Sequence, residues 1–323
     1  MIRFAWQQFR LQAAIALAAL AVVAAIVFVT GPQLVHLYKL HQMSALLNRY
    51  GSYQDIATLL FVAPALVGVF WGAPLIAREL EGGTHRLVWT QSVTRRRWLA
   101  VTLALVGGAS AAVCGLLSWA VTWWATPVDR FNLDRLSSTA IFSERGLVPL
   151  GYGAFAFALG VVLGLLVRRT VPAMAATLAV FVATRFAFAR WIRPHLLAPV
   201  HTLVRLTGAD ITSLSIPLPN SRDPLLAQVS SPHPGAWVLS SGSQLVVNSA
   251  GKVVYGLSKM LPRDRATQGA LIATLARLHL YVPLVYQPAS RFWTFQVMET
   301  AIFLGVALVL VGFCFWWVQR RLS

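Results

Sequence analysis

Six long apolar stretches decide what this chain can fold into. They cover residues 13–29, 56–76, 99–124, 148–167, 171–189 and 301–318, each 17 to 26 residues long. A helix rises about 1.5 Å per residue and the hydrocarbon core of a bilayer is about 30 Å thick, so a span takes about 17–25 residues. Lipid offers no partner to backbone N–H and C=O groups, and a helix satisfies those groups internally. The composition agrees. Hydrophobic residues make up 57% of the chain and charged residues only 11%, with a mean hydropathy of +0.66. So little charge cannot cover a water-facing surface of this size, and a disordered chain needs low hydrophobicity. The expected fold is an all-α polytopic membrane protein: six transmembrane helices with a small α+β extracytoplasmic domain between helices five and six.

Charge gives the orientation. The formal charge is +17, from 27 basic and 10 acidic residues. With six spans both termini share a side with segments 77–98 and 168–170. That side carries 11 basic residues in 42 positions, whereas the three opposite segments carry 15 in 160. The denser side is expected to be cytoplasmic. This places a multi-pass protein in the cell membrane with both termini inside, and explains much of the positive charge without nucleic acid. The first stretch reads as a retained anchor, because its run exceeds a signal-peptide core and Thr30-Gly31-Pro32 offers no small-residue cleavage site. The chain then divides into helices one to five at 1–190, with a cytoplasmic loop at 77–98, an extracytoplasmic domain at 191–298, and helix six with its tail at 299–323.

The outward segments differ in kind. Segment 30–55 carries Leu34, Leu37, Tyr38, Met43, Leu46 and Leu47 in a helical pattern, which predicts a short helix lying on the membrane surface. Segment 125–147 reads as a plain polar connection. The stretch of about 110 residues before helix six is too long for a structureless loop. Strand-like runs at 211–218, 236–239, 252–256 and 281–286, and an amphipathic helical pattern at 263–280 carrying Leu271, Leu275 and Leu278, predict a small α+β domain.

Catalytic and metal motifs are missing from the sequence. There is no GxxxxGK[ST] phosphate loop, no HExxH and no GxSxG. The seven histidines are scattered, and His36 and His41 are poorly spaced for one helix face. No cofactor, metal or catalytic residue is expected. Cys114 and Cys314 lie in apolar runs at different depths and read as packing residues rather than a disulfide. Gly68-xxx-Gly72 and Gly160-xxx-Gly164 are small-residue patterns that let helices approach closely.

The loop at 77–98 is the informative segment. Gly82-Gly83-Thr84 breaks a helix, and Thr84 can cap a short helix over 85–91 that presents Leu87, Val88 and Trp89. Glu79-Leu80-Glu81-Gly82-Gly83-Thr84, followed by the basic restart Thr94-Arg95-Arg96-Arg97-Trp98, resembles the cytoplasmic loop of type-2 ABC-transporter permeases. The run from Tyr286 to Gln296, then Glu299, is similar to a subgroup of small six-helix permeases with a large outer domain before the last helix. The resemblance implies a membrane subunit that forms a homodimer and binds a separate ABC ATPase subunit. It implies that Glu79, Glu81, Gly83, Thr84, Leu87 and Trp89 couple to that ATPase.

On this reading the chain is the membrane-spanning permease of an ATP-driven exporter, moving an amphipathic substrate and doing no covalent chemistry. The alternative is a membrane-anchored sensor or assembly protein with a ligand-binding outer domain, which leaves the structured inner loop without a purpose. An intramembrane enzyme lacks an acid–base pair at depth. Charged groups inside spans are costly and usually paired. Arg185, about 21 Å up helix five, and Glu299, about 28 Å up helix six, are expected to form such a pair, with Arg190 as a competitor.

Overall fold

The computed structural model describes residues 14, 18, 21–33, 35–36, 61–82, 95–129, 135–206, 211–215, 223–229, 233–240, 242–255 and 277–321. It divides into two units. Among the described residues the first, Met1–Asn132 with Ser138–Arg193 and Trp293–Ser323, holds helices, and the second, Leu133–Ser137 with Pro194–Phe292, holds the strands.

Helix α1 covers Ala21–Gln33. Helix α2 runs without interruption over 63–81, as Ala63–Val67, a wider π-helical turn at Gly68–Gly72, and Ala73–Glu81. Helix α3 covers Arg95–Asp129, the short α4 Thr139–Glu144, α5 Val148–Val167, and α6 Thr170–Ala187. A π turn at Phe188–Ile192 and a 3-10 turn at Arg193–His195 prolong α6. Helix α7 covers Phe292–Arg321. Among the described residues four helices are long and apolar enough to cross a membrane: Arg96–Thr126, Val148–Val167, Thr170–His195 and Ala289–Arg320. The first two of the six expected stretches are described only in part.

Three expectations are revised. Residues 30–33 continue the apolar helix instead of leaving it, with the Thr30 hydroxyl donating to the Ile26 carbonyl at 2.6 Å; most of the expected surface helix lies outside the described residues. The connection at 125–147 is not plain, because α3 runs on to Asp129 and Ser138 caps α4 by accepting from the Ile141 N–H. The last helix begins at Phe292, seven residues before the expected start at 299.

Helix α5 is the axis of the first unit and is buried along most of its length. Its bounds match the apolar stretch because both ends are punctuated. Pro149 occupies the first turn, where its missing N–H costs nothing, and Arg168 takes a left-handed conformation with φ 59° that ends the helix. The two glycine patterns face one another. A Cβ on Gly68 would meet the Ala156 carbonyl at 2.6 Å, and one on Gly72 the Phe157 carbonyl at 2.5 Å. A Cβ on Gly160 would strike the Gly68 carbonyl, and one on Gly164 the Ala73 carbonyl. Hydrogen at all four positions lets α2 and α5 touch backbone to backbone. Trp71, Leu99, Leu103, Val106, Phe157, Val161 and Leu165 fill the core around this crossing. Cys114 and Cys314 are free and buried in the same core, and Cys114 packs where Gly153 leaves room.

The second unit contains two antiparallel three-stranded sheets. One has the order β1 (Val200–Arg205), β6 (Tyr281–Gln287), β4 (Trp237–Val238); the other β2 (Ile211–Ser215), β3 (Leu226–Val229), β5 (Gln244–Leu245). Val204, Leu206, Leu225, Ala227, Val282 and Leu284 form its core. The strand expected at 252–256 is reduced to isolated bridges at Val253 and Tyr255. Most of the amphipathic helix expected at 263–280 lies outside the described residues.

The glycine crossing makes a sharp prediction. Gly160→Ala puts a methyl group against backbone that cannot swing away, and overpacking of this kind costs about 1–3 kcal/mol. Gly305→Ala on α7 meets open space, so it should change stability by no more than about 0.5 kcal/mol. Thermal unfolding of the two variants in detergent checks the contrast.

Candidate functional site

Glu299 is completely buried on α7, seven residues beyond the start of that helix at Phe292, and its charge is matched inside the bundle. Arg193 meets it side-on, with Nε donating to Oε2 at 2.8 Å and Nη2 to Oε1 at 2.9 Å. The Tyr152 hydroxyl on α5 donates to Oε1, and accepts from Arg193 Nη2 at 3.3 Å. The Arg193 guanidinium also stacks over the Phe142 ring at 4.3 Å. Two charge-assisted bonds in fork geometry plus a phenol satisfy the carboxylate. The cluster joins α5, the end of α6 and α7.

The expected Arg185–Glu299 pair is therefore corrected to Arg193–Glu299. The helix does not stop at Ala189. Its π and 3-10 turns carry Arg193 about 12 Å further along than Arg185, to the level of the carboxylate. Arg185 instead lays its guanidinium on Tyr152, 3.6 Å from the ring centre, with the Phe61 ring at 4.5 Å.

A second bolt lies one turn away on α7. Gln296 Oε1 accepts from the Leu147 and Val148 N–H groups, each at 3.0 Å, and its Nε2 donates to the Phe142 carbonyl at 2.9 Å. It thereby caps the open N-terminus of α5, whose own N-cap residue Leu147 has no side-chain acceptor. Gly146, at φ 72°, brings the chain so close that a Cβ would lie 2.7 Å from Gln296 Oε1. On the other side Ser118 donates to the Gly146 carbonyl at 2.9 Å, and the Gly146 N–H donates to Thr122 at 3.0 Å.

The opposite end of the bundle carries the coupling candidates. Glu79 and Glu81 lie on the last turn of α2. Gly83, Thr84, Leu87 and Trp89 lie outside the described residues. Glu81 Oε2 accepts from the Thr170 hydroxyl at 2.6 Å and from the Thr170 N–H at 2.9 Å. It caps α6, where the carboxylate also complements the helix dipole. The Thr170 hydroxyl, the Thr170 N–H and the nearby Arg169 charge hold the Glu81 carboxyl below its ordinary value of 4.5. At the same end Arg96 on α3 donates to Gln319 on α7 at 2.9 Å. Sequence reasoning found Glu81, Arg185 and Glu299 but missed Tyr152, Arg193 and Gln296; the signal available was that Glu299 needs a cation and Arg193 stands immediately before Pro194.

A protein-family model described as ABC-2 membrane transporter related matches residues 17–193, more than half of the chain. The match ends at Arg193. No curated protein and no solved structure matches the chain.

Two outcomes follow. Removing one partner of a buried pair costs about 3–5 kcal/mol, so Arg193→Gln should sharply reduce thermal stability. The swap Arg193→Glu with Glu299→Arg should recover part of that loss, whereas Arg185→Glu with Glu299→Arg should recover none. Glu81 is exposed and its pKa is lowered on folding, so its contribution is present above pH 4.5 and fades as pH falls through the lowered value. The protection factor of the Thr170 amide, its exchange rate relative to the intrinsic rate at the same pH, should fall over that acidic window in the wild type and be low at every pH in Glu81→Ala.

Proposed function

The chain belongs to the ABC-2 membrane transporter related family, and we propose that it is the permease subunit of an ATP-driven exporter that works with a separate ABC ATPase subunit. The observation that carries this reading is the family match across 17–193, the part of the chain that supplies α2, α3, α5 and α6. A homodimer in the cell membrane, with both termini and the segment 77–98 cytoplasmic and the strand-bearing unit outside, completes the proposal. Hydrolysis belongs to the partner, in line with a sequence that has no phosphate-cradling loop.

The packing supports a mechanical role for the end of α2. Force applied to the segment after Glu81 enters α2 directly and α6 through the Glu81–Thr170 cap. Helix α2 is fitted to α5 at the glycine crossing, so its displacement is a rigid-body shift against α5 rather than a local deformation. At the far end, the Arg193–Glu299 pair carries movement of α6 to α7. ATP-driven closure of the partner thereby reorganises the bundle and opens a path for an amphipathic substrate, with this chain doing no covalent chemistry.

Leu87 and Trp89 are the apolar contacts proposed for the ATPase. An aromatic anchor buried at an interface contributes about 2 kcal/mol or more on truncation, which is roughly a thirtyfold change in affinity. Tagged full-length chain purified from its native membrane should retain a polypeptide with a GxxxxGK[ST] loop and ATP hydrolysis. Trp89→Ala should lose most of that retained hydrolysis while inserting normally. Undiminished retention in Trp89→Ala and in Glu81→Lys contradicts the coupling role of the segment.

A further inference from the structure

The direct pairing of Glu299 with Arg193 leaves Arg185 close to that carboxylate but without a salt bridge of its own. Arg185 is only 7% exposed, and its Nη1 has no hydrogen-bond partner. The nearby carboxylate is occupied by both arms of Arg193 and by Tyr152. Among the described residues no carboxylate pairs with Arg185. The Tyr152 and Phe61 faces attract the cation, but a ring face does not replace an acceptor for a buried N–H.

Arg185 lines a cavity of about 450 Å³ whose other walls include Phe61, Leu178, Phe181, Val182 and Arg190. That volume falls in the range of small-molecule sites, and the lining follows the usual pattern of apolar walls with few polar groups. The polarity runs along α6. Leu178, Phe181 and Val182 form the apolar end, Arg185 comes next, and the exposed Arg190 comes last along the helix. Arg185 lies about 22 Å along the axis from Thr170, and Arg190 about 30 Å, which is the thickness of the hydrocarbon layer. A headgroup would enter near Arg190 and come to rest on Arg185, with its chain against Leu178 and Val182.

We propose that this cavity binds an anionic amphiphile, an acyl or alkyl chain ending in a carboxylate or phosphate head, with Arg185 as the buried counter-charge. The proposal deepens the transport reading by giving its substrate class, and it rests on that reading only for the role of the bound molecule. Binding to the chain alone is measured separately from transport, so either can fail without the other.

The test is binding of tritiated palmitate to the full chain in nanodiscs of neutral phosphatidylcholine, read by scintillation proximity. Wild type should bind saturably. Arg185→Gln should weaken binding at least tenfold. Val182→Trp, which fills the cavity from an exposed position, should do the same while leaving the Arg193–Glu299 cluster intact. Hexadecyl phosphate should compete, and hexadecanol and inorganic phosphate should not. Loss of palmitate binding when phosphatidylglycerol is added to the disc assigns the cavity to a resident anionic lipid. Retention assigns it to a free amphiphile; both support the proposal. Equal binding by both variants overturns it, as does competition by hexadecanol equal to that of hexadecyl phosphate, or competition by inorganic phosphate.

Discussion

A carboxylate buried in a bundle of apolar helices has to find its counter-charge within the protein. An isolated buried ion would cost several kcal/mol. Glu299 meets this demand with Arg193 and Tyr152, and the arrangement of three helices follows. Helix α6 has to continue past its apolar stretch to deliver Arg193, α5 has to present Tyr152 near its N-terminus, and α7 has to begin before its apolar run to place Glu299. Phe303 closes the apolar side, touching the Tyr152 ring edge-on at 4.8 Å and packing on Phe155 and Phe188 at 5.2 and 5.0 Å.

Around that polar lock, the helices are fitted by removing side chains rather than adding them. Between α2 and α5 there is no room even for a methyl group, and the fit is backbone against backbone. Dispersion is the main attraction left between helices in lipid, because the tails are as apolar as the side chains. Close approach therefore does for this bundle what hydrophobic burial does in water. A crossing of this kind has few intermediate positions.

The apolar runs were legible wherever chain chemistry changes abruptly. Helix α5 is bounded as read, since Pro149 and Arg168 mark its ends. Hydropathy failed where polar residues are buried among protein neighbours. Gln296, Glu299 and Thr300 look like a loop entering a helix, yet they are inside α7: Gln296 is satisfied by Phe142 and the start of α5, Glu299 by Arg193 and Tyr152, and Thr300 by the Gln296 carbonyl of its own helix. Arg190 and Arg193 likewise look like the end of a span, so the reading stopped at Ala189 and gave Glu299 the wrong arginine. The strand at 281–286 was readable from its apolar run. Val200–Arg205, Leu226–Val229 and Gln244–Leu245 were not, because each is short and mixed, and its pairing is fixed by partners distant in sequence.

The charge arithmetic of the polar cluster links structure to transport. Two arginines share one carboxylate, and the surplus positive charge faces an apolar cavity. The proposed binding of an amphipathic anion needs these two features side by side. The central claim is that the chain moves such a molecule when its partner hydrolyses ATP. Its most direct measurement uses liposomes containing the full chain and its ATPase subunit, with a fluorescent palmitate whose leaflet is read by dithionite quenching. The account predicts ATP-dependent movement between leaflets that a non-hydrolysable ATP analogue stops. Hydrolysis by an intact complex with no movement of the bound amphiphile would contradict it.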